Sequence, residues 1–445
     1  MSSSAGGGRH DVPTHSRHDS QPGAGLVDRP GHGLLLVLLF ALLTSCGASS
    51  QRAHAQPLEG QEAHAQTGEV TRASIREFDS FGIAVDFDGE NGIVGALGSQ
   101  ALGEGAAAYI FAGQDPLQAA LLPPPDIEPR SLYGTAVAIE GDTAFVGAPF
   151  ESGNGERSGA VHLYEQLDGE WTYSGTITAS RAEPYAYFGE ALAVSGETLA
   201  VAAPGFGDEA VYLFERQGDG WQEVARLERP ASLGNGNGSE GPIFGSSVAL
   251  YDEWLAVGAA TASSSSTGSV FVYRREEGDW ALFEELESNL GGDLYGEAVA
   301  LGEGLLAVAA PGTVQPGRVI AYRLSEDTWR VAGTLEPDHG GARGFGVTVA
   351  IDGQQIIVSA PTESDGNGTP GVGAVYVFTI GTGDSGPRLL TSLQPPESEA
   401  DMEFGAAIAA ADGRLLIGAP GAAGSGQENR AGRAFLLDLT GSVEQ

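Results

Sequence analysis

The chain has 445 residues, with 59 Asp and Glu against 22 basic residues that are all arginine, and a net charge of −37. So acidic a chain repels phosphate backbones, which sets DNA and RNA aside as partners. A hydrophobic content of 41% is too high for a disordered chain, and the single cysteine, Cys46, rules out an intrachain disulfide or a cysteine-ligated metal.

The first element is a targeting segment. Leu34 to Leu43 (LLLVLLFALL) is an apolar run behind Arg9, Arg17 and Arg29. It is too short to span a bilayer and suits the core of a signal peptide, so residues 1–45 read as a lipoprotein-type leader. Leu43-Thr44-Ser45-Cys46 resembles a bacterial lipobox, in which the thiol is diacylated and becomes the new N-terminus. Two acyl chains anchor stably where one is marginal. The rival is Ala53-His54-Ala55 before Gln56, an ordinary signal-peptidase site whose pattern recurs at Ala63 to Gln66. Both imply export. Gly47 after the cysteine, rather than Asp, is similar to lipoproteins of the outer membrane or cell surface. Residues 46–68 lack apolar periodicity and read as a flexible tether, with His54 and His64 as solvated spacer rather than metal ligands.

From Phe81 the chain repeats itself. An aromatic-Gly pair recurs at Phe81, Tyr133, Phe188, Phe244, Tyr295, Phe345 and Phe404, at intervals of 52, 55, 56, 51, 50 and 59 residues. Each pair leads into a short alternating stretch (Ala136-Val137-Ala138-Ile139), a polar turn (Glu140-Gly141-Asp142) and a second apolar run ending in Gly/Ala-Ala-Pro, as at Val146-Gly147-Ala148-Pro149. A variable Gly/Ser-rich loop follows, then a third alternating strand (Val211-Tyr212-Leu213-Phe214) and a fourth that often opens on Trp: Trp171, Trp221, Trp280, Trp329. One such sheet alone leaves both faces wet, and radial stacking covers them. The expected fold is all-β, a seven-bladed β-propeller of four-stranded antiparallel blades over residues 69–445. The last unit lacks its fourth strand, so an N-terminal strand within residues 69–77, centred on Val70 to Ile75, is expected to close the ring.

Phe-Gly, then Gly-Ala-Pro, then Gly-x-Val-Tyr-Val-Phe resembles the FG-GAP repeat of integrin α-chain propellers and of many bacterial secreted proteins. The resemblance covers nearly all of residues 70–440, although blades 1 (Val94-Gly95-Ala96-Leu97) and 4 (Val257-Gly258-Ala259-Ala260) lack the proline. It implies a propeller of the bacterial type. Integrin-like blades carry an Asp-x-Asp-x-Asp-Gly calcium loop after the Phe-Gly pair; this chain has only short turns such as Ser195-Gly196-Glu197, so calcium does not carry over. Two remnants are weak cation candidates, Asp86 with Asp88 in blade 1 and Glu363, Asp365 and Asn367 in blade 6. Their plainer role is in polar turns, and no metal or cofactor is assigned.

Catalytic constellations are scarce. Only His162 and His339 lie in the propeller, the first on a strand between Val161 and Leu163, the second in a Gly-rich loop. No catalytic residue is assigned. The expected function is an exported, lipid-anchored, monomeric scaffold that touches the membrane only through Cys46. Its binding loops for a protein or glycan are expected among Phe150 to Ser158, Leu233 to Pro242, Thr261 to Thr267, Thr362 to Gly371 and Gly421 to Ala431. The alternative is a polysaccharide hydrolase or lyase using carboxylates of the central channel, signalled by raised pKa values there. A third possibility is a structural part of a larger envelope complex, signalled by broad apolar patches on the rim.

Overall fold

Short segments with alternating apolar residues fold as strands, and each repeat pairs four of them. In blade 2 the innermost strand is Val137–Glu140, followed outward by Thr143–Ala148, Ala160–Leu167 and Glu170–Ile177, all antiparallel. The computed structural model describes residues 68–70, 79–98, 106–112, 119–122, 128, 130–181, 183–205, 209–218, 220–234, 241–261, 267–288, 293–311, 317–337, 344–381, 386–423 and 430–439. Among them are seven four-stranded antiparallel sheets, and the one helical element is a short 3-10 turn at Ala231–Leu233. The molecule is a seven-bladed β-propeller.

Its core is divided among the blade junctions. Seven clusters of buried side chains each join two successive sheets, including the last to the first, and each contains one aromatic of the repeated pair: Tyr133, Phe188, Phe244, Tyr295, Phe345, Phe404 and Phe81. In six blades that ring meets the third strand edge-on, from 5.3 Å for Phe81 on Tyr109 to 5.7 Å for Phe244 on Phe271. Blades 2 and 5 use Tyr at this place and also supply a hydroxyl partner: Tyr133 to Tyr164 at 2.6 Å and Tyr295 to Tyr322 at 2.7 Å. Buried phenols need such partners. Truncating one of these aromatics to Ala is a loss of about 3–5 kcal/mol by the usual cost of core cavities.

The glycine of the pair controls how closely blades approach. All seven have φ between +86° and +93°, and six of the preceding residues are also left-handed, from Ser80 at +50° to Gly344 at +74°. Each such non-glycine residue costs on the order of 1–3 kcal/mol, which the packed aromatic beside it offsets. The N–H of Gly134 donates to Gly147 O of its own blade at 2.9 Å, while its carbonyl presses on Gly95 of the blade before. Gly147, Gly258 and Gly418 meet Gly189, Gly296 and Gly82 in the same way, and a Cβ on any of them would collide with the carbonyl oxygen. This close approach is why the second strand ends in Gly-Ala-Pro.

Ring closure uses the N-terminus. Gly68 and Glu69 pair with Leu436 and Phe435, and the Val70 N–H donates to Ala434 O at 2.9 Å. The described pairing meets the expected segment 69–77 at its first residues, and Val70 turns its side chain into the junction of blades 7 and 1. Residues 71–78 lie outside the described residues. Arg433 holds the seam: its guanidinium donates to Ala423 O at 2.9 Å and lies 3.3 Å from Glu399 and 3.7 Å from Glu69.

At the outer rim, five of the pairings between third and fourth strands carry a bulge at the same place, beside Tyr164, Phe214, Tyr273, Tyr322 and Phe378. Bulges twist an exposed edge away from further strand pairing. Gly147→Ala is expected to destabilise the protein by about 1–3 kcal/mol in urea unfolding, because the new methyl meets backbone. Gly153→Ala, with nothing within 4 Å, is expected to stay within about 0.5 kcal/mol; equal losses at both sites would refute the close-approach account.

Candidate functional site

Antiparallel order puts the loops between second and third strands at the same end of the ring as the aromatic-Gly pairs, here called the upper end. Those loops differ in length, from Ala203 to Ala210 in blade 3 to Ala360 to Ala374 in blade 6. At the lower end the first two strands are joined by tight turns, as between Ser195 and Thr198 or Asp352 and Gln355. The turns between third and fourth strands share that lower end, with two residues between Leu167 and Glu170 and six between Ile380 and Pro387, and the longest connections of the described blades are those of the upper end.

The upper mouth of the channel is ringed by the residues that follow each aromatic-Gly pair. These are Ile83, Thr135, Glu190, Ser246, Glu297, Val347 and Ala406, all of them partly exposed. Glu190 and Glu297 stand out as carboxylates in a ring of small and apolar side chains. Enclosure by the inner strands disfavours their charged form and pushes both up to about 7. Sequence reasoning missed them, although Gly189-Glu190-Ala191 and Gly296-Glu297-Ala298 repeat the same polar exception.

The lower end spends its carboxylates on the fold. The side chains of Asp88, Ser195 and Asp352 accept backbone N–H groups of the next blade's turn, from Gly141 at 3.0 Å, Asp252 at 3.1 Å and Gly413 at 2.7 Å. Glu140 does the same with Gly196, and its carboxyl is raised by burial and by Asp88. Asp86 accepts the N–H groups of Ile139 and Phe87 at 2.8 and 2.9 Å, yet burial outweighs both and lifts it to about 7. The blade 1 candidates for a cation are thus clamps between blades 1 and 2.

The blade 6 candidates are also engaged. Asp365 closes a turn by accepting the N–H of Asn367 at 3.0 Å and of Thr369 at 2.7 Å, while Glu363 is buried and accepts the hydroxyl of Tyr376 at 2.7 Å. Among the described residues no group of three or more His, Cys, Asp or Glu is placed to hold a metal. His162 is buried, 2.8 Å from Glu151 through Nε2 and 3.4 Å from Thr176 through Nδ1. The sequence did not suggest that pair; the signal lay in Pro149-Phe150-Glu151-Ser152 repeating Pro361-Thr362-Glu363-Ser364. His339 and Cys46 lie outside the described residues. So do the middle parts of the loops at 235–240, 262–266 and 424–429, whereas Phe150 to Ser158 and Thr362 to Gly371 are described throughout.

Among the described residues, exposed large apolar side chains on the fourth strands occur one to a blade, at Leu121, Tyr173, Val224, Leu282 and Val331. Arginine is consumed locally: Arg216 bridges Asp142 at 2.8 Å and Glu165 at 3.4 Å across blades 3 and 2, holding the Asp142 carboxyl below its usual range.

Residues 117–164, 171–214 and 329–378 match the FG-GAP repeat family. Each match begins near an outermost strand and ends on the third strand of the following blade, so the sequence unit bridges two sheets. No curated protein matches the chain. Among solved structures, one from work on two prolyl endopeptidases is similar at 14% identity and a TM-score of 0.48, covering 81% of this chain and 47% of that one. The chain therefore spans about half the length of that structure.

The raised carboxyls give stability a defined pH dependence. Glu190 and Glu297 take up protons in the folded state up to about pH 7, against an ordinary glutamate value of 4.5. The native state binds more protons across that window, so stability is greatest below it and falls as pH rises towards 7. Glu190→Gln with Glu297→Gln is expected to remove about 1–3 kcal/mol of the difference in unfolding free energy between pH 5 and pH 7.5. A double variant with an unchanged pH profile would show that the channel mouth does not enclose these groups.

Proposed function

We propose that this chain, a seven-bladed β-propeller built from FG-GAP repeats, is a monomeric, non-enzymatic scaffold that binds a protein or glycan with the loops of its upper face. The observation that carries this is the asymmetry of the ring. Tight turns join the two inner strands at the lower end, while the longest connections, such as that between Ala360 and Ala374, emerge from the upper end of a frame held by seven separate cores. Variable loops on a rigid frame are the usual seat of recognition. Their described tips, Gly153 and Asn154 in blade 2 and Gly366, Asn367 and Gly368 in blade 6, are exposed and uncharged. Such residues adapt their hydrogen bonds to a polar surface.

Location belongs to the same proposal. Diacylation of Cys46 would tether the ring to the outer membrane or cell surface through residues 47–67, which lead directly into the closing pair Gly68 and Glu69. Cys46→Ala is expected to move the protein from the membrane fraction to the soluble fraction and to abolish incorporation of labelled palmitate. Retention of both properties would overturn the anchor.

A second reading, a polysaccharide hydrolase or lyase, is favoured by one observation: Glu190 and Glu297 sit at the channel mouth with pKa values suited to an acid and a base near neutrality. One experiment separates the two. Full-length protein is screened against envelope extracts and a glycan panel, beside a variant in which the blade 6 loop 361–373 is replaced by the shorter blade 5 connection 311–317. Capture of a partner that is lost with the loop, at unchanged melting temperature, supports the scaffold. Glycan cleavage that disappears in the Glu190→Gln, Glu297→Gln variant replaces the scaffold with the enzyme.

A further inference from the structure

Blades 2 and 6 build the base of their upper loops in the same way. In Ala148-Pro149-Phe150-Glu151-Ser152 and Ala360-Pro361-Thr362-Glu363-Ser364, the glutamate N–H donates to the Ala148 or Ala360 carbonyl at 3.1 Å. Its own carbonyl accepts from Gly159 or Gly373 across the loop, at 2.9 and 3.0 Å. The side chain then turns inward to the third strand, to His162 Nε2 at 2.8 Å in blade 2 and to the Tyr376 hydroxyl at 2.7 Å in blade 6. The two partners are equivalent in the fold. His162 lies opposite Val146 and Tyr376 opposite Val358, each edge-on to the repeat aromatic, Tyr133 at 5.3 Å and Phe345 at 5.4 Å.

Their chemistry differs. A tyrosine hydroxyl is a neutral donor throughout the physiological range, whereas imidazole is the side chain whose charge ordinarily changes between about pH 5 and 8. A hydrogen bond between two charged partners is about twice as strong as a neutral one. The groups facing His162 are Glu151 from the loop, Thr176 and Tyr173 from the outermost strand, and Tyr133, whose hydroxyl is bonded to Tyr164. Among these Glu151 alone is a carboxylate and none is cationic, so an imidazolium here gains a counter-ion without repulsion.

We propose that the His162 and Glu151 pair is a pH-sensitive latch on loop 150–158, tightened by acid, while the blade 6 loop keeps one anchor strength over the same range. The proton balance is local. In the neutral ring Nε2–H donates to Glu151 and Nδ1 accepts from the Thr176 hydroxyl. On protonation Nδ1–H donates to Thr176 Oγ1 instead, and the Thr176 proton turns to the Tyr173 oxygen, 2.6 Å away. Acid thus keeps the chain of hydrogen bonds from the loop base to the outermost strand intact and turns its link to Glu151 into one between two charges. The use of the latch rests on the scaffold reading, since this is one of the loops assigned to the binding face; its existence is measurable without a ligand.

The test is amide hydrogen exchange of the full-length protein at pH 5.5 and pH 8, corrected for intrinsic rates, comparing 150–159 with 362–373. Segment 150–159 is expected to gain about tenfold more protection at pH 5.5 than segment 362–373 gains. The second segment records any change in global stability, so the difference isolates the latch. His162→Tyr, which transplants the blade 6 anchor, is expected to make the two segments respond alike. If that variant does not fold, Glu151→Gln is expected to abolish the difference by removing the charged partner. Equal responses in the unmodified protein, or a difference that survives either substitution, would overturn the latch. Neither result bears on partner capture, which tests the scaffold separately.

Discussion

The structure depends on one close contact repeated around a circle, a glycine carbonyl set against the backbone of the preceding blade. At Gly134, Gly189, Gly296 and Gly82 it is seated on a second glycine, and the positive φ of these residues aims it there. Where the partner carries a side chain, at Ala202, Ala309 and Ser359, an added Cβ on the facing glycine would lie 3.4, 3.6 and 3.1 Å from that side chain's Cβ. Glycine on one side, and nothing larger than alanine or serine on the other, lets the sheets converge so tightly near the axis. The neighbouring aromatic makes the geometry stable, since its burial between two sheets outweighs the left-handed conformation of the residue before it.

From that contact follows the distribution of polar chemistry. Once the inner strands are fixed, their lower turns abut, and side-chain oxygens at Asp88, Glu140, Ser195 and Asp352 become acceptors for the neighbour's exposed N–H groups. A backbone donor at a tight junction needs an acceptor, and these side chains supply it where a longer loop would supply a metal ion's ligands. The upper ends are under no such demand. There the chain is free to vary, with Glu190 and Glu297 enclosed at the channel mouth and Glu151 and Glu363 turned inward to hold loops.

Charge follows the same division. Arginine joins blades at Arg216, closes the seam at Arg433 and pairs with buried Asp293 through Arg318. The planar guanidinium reaches two acceptors at once, a geometry lysine does not offer. With these arginines paired and 59 Asp and Glu against 22 basic residues, the unpaired charge of the chain is mainly carboxylate.

The sequence by itself determined the number of blades, their strand order and the positions of the seven pairs, because a short repeat with alternating apolar residues has few ways to cover both faces of its sheets. Only the tertiary structure decided the register of the closing strand, because Gly68 and Glu69 carry no pattern of their own and are set by the free edge at Leu436 and Phe435. It likewise decided that Asp86 and Asp88 serve as clamps, that Glu190 and Glu297 share the channel mouth, and that His162 meets Glu151. Those relations join residues from different strands or different blades. Their partners are set by how sheets stack, and periodicity along one chain does not encode the distance between two side chains brought together by that stacking.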